Sequence, residues 1–300
     1  MPLPDFLVIG ASRSGTTSLH HYLGQHPEIF MCPRKSPNFF VAEDPLPAWE
    51  GPVARQMAGQ WVANRESYEA LFSGAREGAS VGEVSPVYLQ SRAAPERIRE
   101  LCPEAKLVAI LRDPAERAWA HYMGRMRDGL DTRESFEAVI DAELADDLPD
   151  EVAFGSYLGC SRYGHFLSRY LELFPREQIR VYLFEDLCDS PRDLLGDMFS
   201  FLGVDPSPIA SVDLSRHHQS GQVRGALRRT LWTRSVGLRT TLRPMLPEGV
   251  RRLAAPLFLR GLDKPRLEAD LRKRICEVLA PDIERCQELI ARDLTRWLEA

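Results

Sequence analysis

Leu107–Leu111 is an unbroken apolar run that stops at Arg112-Asp113-Pro114 and leads into a stretch able to form a helix. A strand that is apolar on both faces must be covered on both faces, which is the condition of a parallel sheet between layers of helices. The same unit recurs along the chain. Phe6–Gly10 runs into a Gly/Ser-containing turn and then into a helix with Leu19, Tyr22 and Leu23 on one face and Gly24 near its end. Ile29–Met31 ends in Cys-Pro, Ser80–Val84 ends at Ser85-Pro86, and 179–184 ends at Glu185-Asp186. Helical periodicity occupies 91–102, 134–146, 161–173 and 190–202, and Pro114 stands at a tolerated first-turn position. The reading is an α/β fold with a parallel sheet of about five strands flanked by helices. Residues 36–66, rich in proline, read as an irregular insertion plus a helix. From about 224 the chain reads as a helical C-terminal cap without a clear strand, its last helix broken by Pro281. All of it, 1–300, is taken as one domain.

Composition narrows the partners. The 300 residues are 44% hydrophobic and 27% charged, with a formal net charge of -5. That is ample material for a large core, and too little positive charge for nucleic acid to be the main partner. The basic residues are nearly all arginine, the lysines being Lys35, Lys106, Lys264 and Lys273, and a local basic patch covers Arg224–Arg239. Cys32, Cys102, Cys160, Cys188, Cys276 and Cys286 are scattered, with no Cys-x-x-Cys pair and no His at metal-ligand spacing. This is the pattern of reduced thiols in a cytoplasmic protein without a metal. Met1–Asp5 is too short and polar for a signal peptide, and no apolar run reaches the ~18 residues of a membrane span. The oligomeric state is open.

The loop Gly10-Ala-Ser-Arg-Ser-Gly-Thr-Thr17 joins the first strand to the first helix. Backbone N–H groups and a helix N-terminus there can surround a phosphate. Arg13 adds positive charge, and Ser14, Thr16 and Thr17 add hydroxyls around Gly15. The spacing approaches the nucleotide loop G-x-x-x-x-G-K-[ST], yet Thr16 stands where that loop has the lysine that reaches the outer phosphates. This counts against an ATP or GTP enzyme and favours a donor that needs no metal.

Three segments resemble the sulfotransferases, in particular their bacterial and carbohydrate-type branch, on a P-loop-like fold. Arg13-Ser-Gly-Thr-Thr-Ser-Leu19 is similar to the family's 5′-phosphosulfate loop, usually K-x-G-T-T-x-L. Leu111-Arg-Asp-Pro-Ala-Glu-Arg-Ala-Trp-Ala-His-Tyr122 is similar to its 3′-phosphate motif. Gly82-Glu-Val-Ser-Pro-Val-Tyr88 is similar to a G-E-x-S-P-x-Y segment of this branch. Weaker echoes reach Arg292–Trp297, so the resemblance spans most of the chain. It implies transfer of a sulfuryl group from 3′-phosphoadenosine 5′-phosphosulfate (PAPS), leaving adenosine 3′,5′-bisphosphate (PAP). The acceptor would be a hydroxyl or amine of a small molecule or carbohydrate.

The resemblance also assigns roles. Arg13, Ser14, Gly15, Thr16 and Thr17 would hold the 5′ end of the donor, and Arg112 the 3′-phosphate. Gly221 and Arg224 would belong to a loop folding over the 3′-phosphate and adenine. Arg117 reads as structural or as part of a helix-surface pair. Ala120 replaces a serine of the motif and removes one donor. The largest departure is Lys35-Ser-Pro-Asn-Phe-Phe40, where the branch has K-E-P-[HN]-F-F: Ser36 stands in place of a glutamate that commonly serves as base. Glu83 is the carboxylate candidate for that role, with His20, His21 and His121 behind it, and Lys35 is a candidate contact for the sulfuryl oxygens. Alternatively the acceptor is acidic enough to need little help, or the chain binds PAP or PAPS without chemistry. A P-loop small-molecule kinase is the remaining reading. Trp49, Trp61, Phe39, Phe40 and Tyr88 are candidates either for a pocket wall or for the core.

Overall fold

The computed structural model describes residues 3–42, 59, 61–128, 130–131, 133, 135–145, 148, 155–215, 222–223, 262–263 and 266–299. In chain order the elements are β1 (Phe6–Gly10), α1 (Thr16–Leu23), β2 (Ile29–Met31), α2 (Arg65–Ala70), β3 (Ser80–Val84), α3 (Ala94–Leu101) and β4 (Lys106–Leu111). They continue with α4 (Pro114–Asp128), α5 (Phe136–Ala145), α6 (Tyr163–Leu173), β5 (Ile179–Leu183), α7 (Phe184–Asp189) and α8 (Pro191–Leu202). After these come β6 (Gln222–Val223), β7 (Leu262–Asp263), α9 (Ala269–Ile290) and α10 (Thr295–Leu298).

The main sheet is parallel throughout, in the order β2-β3-β1-β4-β5. Side chains alternate along each strand. Leu7, Ile9, Leu107, Ala109 and Leu111 pack on one face against Tyr122 of α4, Phe166 of α6 and Ile275 and Leu279 of α9. Phe6, Val8, Val108 and Ile110 pack on the other face against Leu19 and Leu23 of α1 and Met198 and Phe199 of α8. Both faces are covered, which is why β1 and β4 read as unbroken apolar runs.

The order places the ligand edge. From β1 the chain moves to β2 on one side; from β4 it moves to β5 on the other. Neighbouring strands whose connections diverge leave a crevice beyond their carboxyl ends, where open α/β sheets bind ligands. Here the crevice lies between the loop after β1 and the loop after β4. A groove of about 940 Å³, lined by Asp5, Glu28, Arg76 and Lys106 among others, opens at the opposite, N-terminal edge.

Two expectations are corrected. Pro281 does not break the last long helix: α9 runs through it from Ala269 to Ile290. Leu271, Ile275, Leu279, Ile283, Cys286 and Ile290 form one buried stripe across the proline, and this packing outweighs one missing backbone hydrogen bond. The C-terminal third also carries strands, because β6 and β7 pair antiparallel. Strands of two residues are too short to leave a periodic signal.

Candidate active site

The β1–α1 loop is built to leave N–H groups free. Gly15 holds φ 90 at the N-cap of α1, no side chain caps that end, and no acidic residue occupies its first turn. The N-terminus of α1 therefore keeps unsatisfied donors and the positive end of its dipole at the crevice. A side chain at Gly15 would press on Phe184 and Leu187, both 3.0 Å from an added Cβ, on top of the cost of its left-handed backbone. The loop is tied to β4 by Ala11 N–H donating to the Ile110 carbonyl at 2.7 Å.

The hydroxyls of the loop divide. Thr17 is half-buried at the edge and Thr16 is buried. Ser14 departs from the expectation that its hydroxyl meets the donor. Its side chain is 0% exposed and enclosed beside the Tyr163 hydroxyl, and its N–H donates to the Ala11 carbonyl. Gly221 and Arg224 lie outside the described residues, as does Trp49.

Arg13 reaches across the crevice to the third turn of α4, where its guanidinium lies against Gly124. Burial pushes its pKa below the ordinary arginine value. Asp128 opposes the shift, and Arg127, Arg117 and Arg125 add to it. Lys35, on the loop after β2, is brought down to about 8, first by burial and then by Arg13. Two cations are thus held in one enclosed region at a cost that a bound anion would offset.

Arg112 stands at the end of β4, largely buried, with its guanidinium 5.0 Å from the Phe184 ring. It donates to the carbonyl of Arg13 at 3.4 Å and to Glu116 at 2.9 Å. The side chain of Arg112 and the loop of Arg13 are therefore in direct contact at one edge of the sheet. Asp113 beside it pairs with Arg272 of α9 at 2.6 Å, which ties the C-terminal helix to this motif. Arg117 has the structural role expected of it. It is 0% exposed, and it donates to Ser161 Oγ at 2.7 Å and to the Tyr157 carbonyl. Ala120 is buried in α4.

Glu83 is not open to the crevice. It is 0% exposed and accepts from Tyr68 Oη at 3.1 Å, from Ser85 Oγ at 3.3 Å and from the Tyr88 hydroxyl. Burial raises its pKa to about 7 against the pull of those three hydroxyls. Two of the hydroxyls also hold the loop after β2: Asn38 N–H donates to Ser85 Oγ at 3.1 Å, and Phe40 N–H to Tyr88 Oη at 3.4 Å. The expectation of Glu83 as the group that meets the acceptor is revised accordingly. Its contacts run to the loop.

On that loop Ser36 has φ 59 and its N–H on the Val84 carbonyl at 2.9 Å. Lys35 Nζ donates to Ser36 Oγ at 3.4 Å. Among the described residues, positive φ outside glycine occurs at Arg13, Ser36, Asn38 and Ala291, and the first three sit on the two loops of this edge. Such backbone persists where surroundings over-determine it, commonly at ligand sites.

The remaining candidates settle into packing. His20 bonds the Cys32 carbonyl at 3.0 Å. His121 is buried against the Tyr157 ring, and burial, Arg117, Arg13 and Arg125 push its pKa well down, leaving it neutral. Phe40 and Tyr88 are core residues at 1% and 0% exposure, whereas Phe39 is half-buried and stacks on Tyr68. Trp61 is half-buried. The sequence reading missed Gly124 and Tyr68. A lone glycine inside a helical run was a signal for the first; nothing local marked the second.

The model of the sulfotransferase family matches residues 4–208. The chain belongs to the sulfotransferase family. Within that family match, Thr16 stands where the nucleotide loop has its lysine. Its similarity to a sulfotransferase structure from Alicyclobacillus acidocaldarius covers 99% of both chains, at a TM-score of 0.75 and 28% identity. The sulfotransferase domain of the curacin biosynthetic pathway shares the fold at a TM-score of 0.52 and 14% identity, over 93% of this chain and 99% of that one. Among curated proteins, the human bifunctional heparan sulfate N-deacetylase/N-sulfotransferase 2 is 27% identical over 208 residues, 68% of this chain and 22% of that protein. The Drosophila melanogaster bifunctional heparan sulfate N-deacetylase/N-sulfotransferase is 27% identical over 237 residues, 72% of this chain and 20% of that protein. The chain thus spans only a small part of the curated relatives it matches. Among the described residues no group of His, Cys, Asp or Glu is arranged to hold a metal ion, and no helix is long and apolar enough to cross a membrane.

Proposed function

We propose that this sulfotransferase moves a sulfuryl group from PAPS to an amine or hydroxyl of a carbohydrate. The observation that carries the reading is the meeting of two cationic elements at the β1/β4 crevice: the uncapped α1 N-terminus with Arg13 and Lys35, and Arg112 against the same loop. In this reading the free N–H groups of the loop, Arg13 and Thr17 hold the 5′-phosphosulfate end, and Arg112 holds the 3′-phosphate by its fork. Gly221 and Arg224 are assigned to the 3′-phosphate and adenine by family resemblance.

PAPS supplies an activated sulfuryl group whose departure leaves charge on a phosphate oxygen. Arg13 and Lys35 stabilise that developing charge from fixed positions. Glu83 positions the loop that carries Lys35 and Ser36 by way of Asn38 and Phe40, held on Ser85 and Tyr88. The carbohydrate acceptor is supported by the heparan sulfate relatives, whose names specify N-sulfation.

The test is thermal stabilisation by PAP against ADP with magnesium, followed by transfer of label from PAPS to a panel of amino sugars, neutral sugars and phenols. Ligand at ~100 times its Kd adds ~2.7 kcal/mol and a clear melting shift. PAP alone should stabilise, and label should reach the sugars. Stabilisation by ADP with magnesium alone, or label confined to phenols, would contradict the proposal.

A further inference from the structure

The loop cation of this chain is an arginine where the family's loop usually carries a lysine, and the bulkier head needs room. Helix α4 supplies it. A Cβ added at Gly124 would lie 2.6 Å from Arg13 Cζ and 2.8 Å from Nη1, inside any allowed contact. Arg117, His121 and Gly124 are spaced to share one face of α4, and the first two are buried side chains that cannot move aside. The guanidinium is the far end of a flexible chain, whereas Gly124 is packed inside a helix of 15 residues. If both compete for the space, Arg13 is displaced and the helix stays.

We propose that Gly124 is a positioning residue for sulfuryl transfer: the missing side chain seats the Arg13 guanidinium, and Arg13 and Gly124 act as one size-matched pair. The proposal rests on the reading that Arg13 meets the donor. The pair also explains why an interior helix position carries glycine, which is among the weakest helix formers.

The experiment measures PAP Kd by calorimetry, and the melting temperature without ligand, for Gly124→Ala, Arg13→Lys and the double variant. Gly124→Ala should raise the Kd at least about tenfold, the scale of one charge-assisted contact, with the unliganded melting temperature unchanged or higher. Lysine has a narrower head, so Gly124→Ala placed on Arg13→Lys should change the Kd by less than about threefold. Wild-type affinity in Gly124→Ala overturns the proposal. So does a double variant that shows the product of the two single losses, or one that fails to fold, because a fault in α4 itself would persist with lysine at 13. An Arg13→Ala variant that binds PAP normally would instead remove the underlying reading of Arg13.

Discussion

Two loops meet at the crevice and are held there differently. The β1–α1 loop is contiguous in sequence, and its working parts, Arg13, Gly15 and the N-terminus of α1, fall within a few residues of one another. The loop after β2 is positioned from elsewhere: Glu83 and Ser85 at the end of β3, Tyr88 beyond it and Tyr68 at α2 fix Asn38 and Phe40 through a buried chain of hydroxyls. The first loop carries its cation and its uncapped helix end in its own residues. The second borrows its geometry from a carboxyl that never reaches the crevice. Damage to the first should therefore appear as lost donor affinity, and damage to the second as lost placement and stability.

The largest effect sharpens that contrast. Arg13→Ala should lower donor kcat/KM by about 10²–10³-fold, the scale of removing one preorganised donor from developing charge, while its melting temperature stays near wild type. Steady-state kinetics with labelled PAPS, alongside a melting curve, check this. Equal losses of stability and rate would erase the distinction between the loops.

Glu83→Gln keeps the shape but cannot ionise and offers one accepting oxygen in place of two. Turnover should fall about tenfold through the loop, within the range of a displaced catalytic group, with PAP affinity within about twofold of wild type. A change in PAP affinity as large as that of Arg13→Ala would merge the two loops into one unit.

Stability adds an independent readout on the same variant. The folded pKa of Glu83 is raised from 4.5 to about 7, so the unfolded chain releases this proton first as pH rises. Wild-type stability should consequently fall between about pH 4.5 and 7, by an amount on the order of 3 kcal/mol as an upper bound. Glu83→Gln should flatten that part of the profile; an unchanged profile would contradict the enclosure of Glu83 as the source of the slope.

Lys35 belongs to the second loop but lies under the field of the first. Its pKa near 8 means the free enzyme loses this charge as pH rises through that value, and an anionic donor binds the charged form better. Donor kcat/KM should drop by a few fold above about pH 8, and Lys35→Met should lack that alkaline limb. The smallest effect expected is that of Tyr68→Phe, which removes one of three hydroxyls from Glu83 and should cost about 1 kcal/mol in denaturant unfolding.

What could be read from the sequence follows the same division. The five strands of the main sheet were legible because each is a short segment with punctuation at its end, and the glycine-flanked turn between β1 and α1 was legible because its signal is local. The place of Arg112 at the end of β4 was legible from the apolar run before it. Glu83 was recognisable as a special carboxylate, but its enclosure was not, because Tyr68 and Tyr88 come to it only through the packing of α2 and of the segment after β3. The inward turn of the Ser14 hydroxyl depends on backbone geometry that its neighbours do not reveal. Pro281 misled for the opposite reason, a local signal overridden by the buried stripe of α9.

The central claim is that one nucleotide bridges Arg13 and Arg112. Calorimetric affinities of PAP, 5′-AMP and 3′-AMP for the wild type, Arg13→Ala and Arg112→Ala test it most directly. The account predicts that Arg112→Ala abolishes the preference for PAP over 5′-AMP, and that Arg13→Ala abolishes the preference for PAP over 3′-AMP. An Arg112→Ala variant that still prefers PAP over 5′-AMP to the wild-type extent would contradict it.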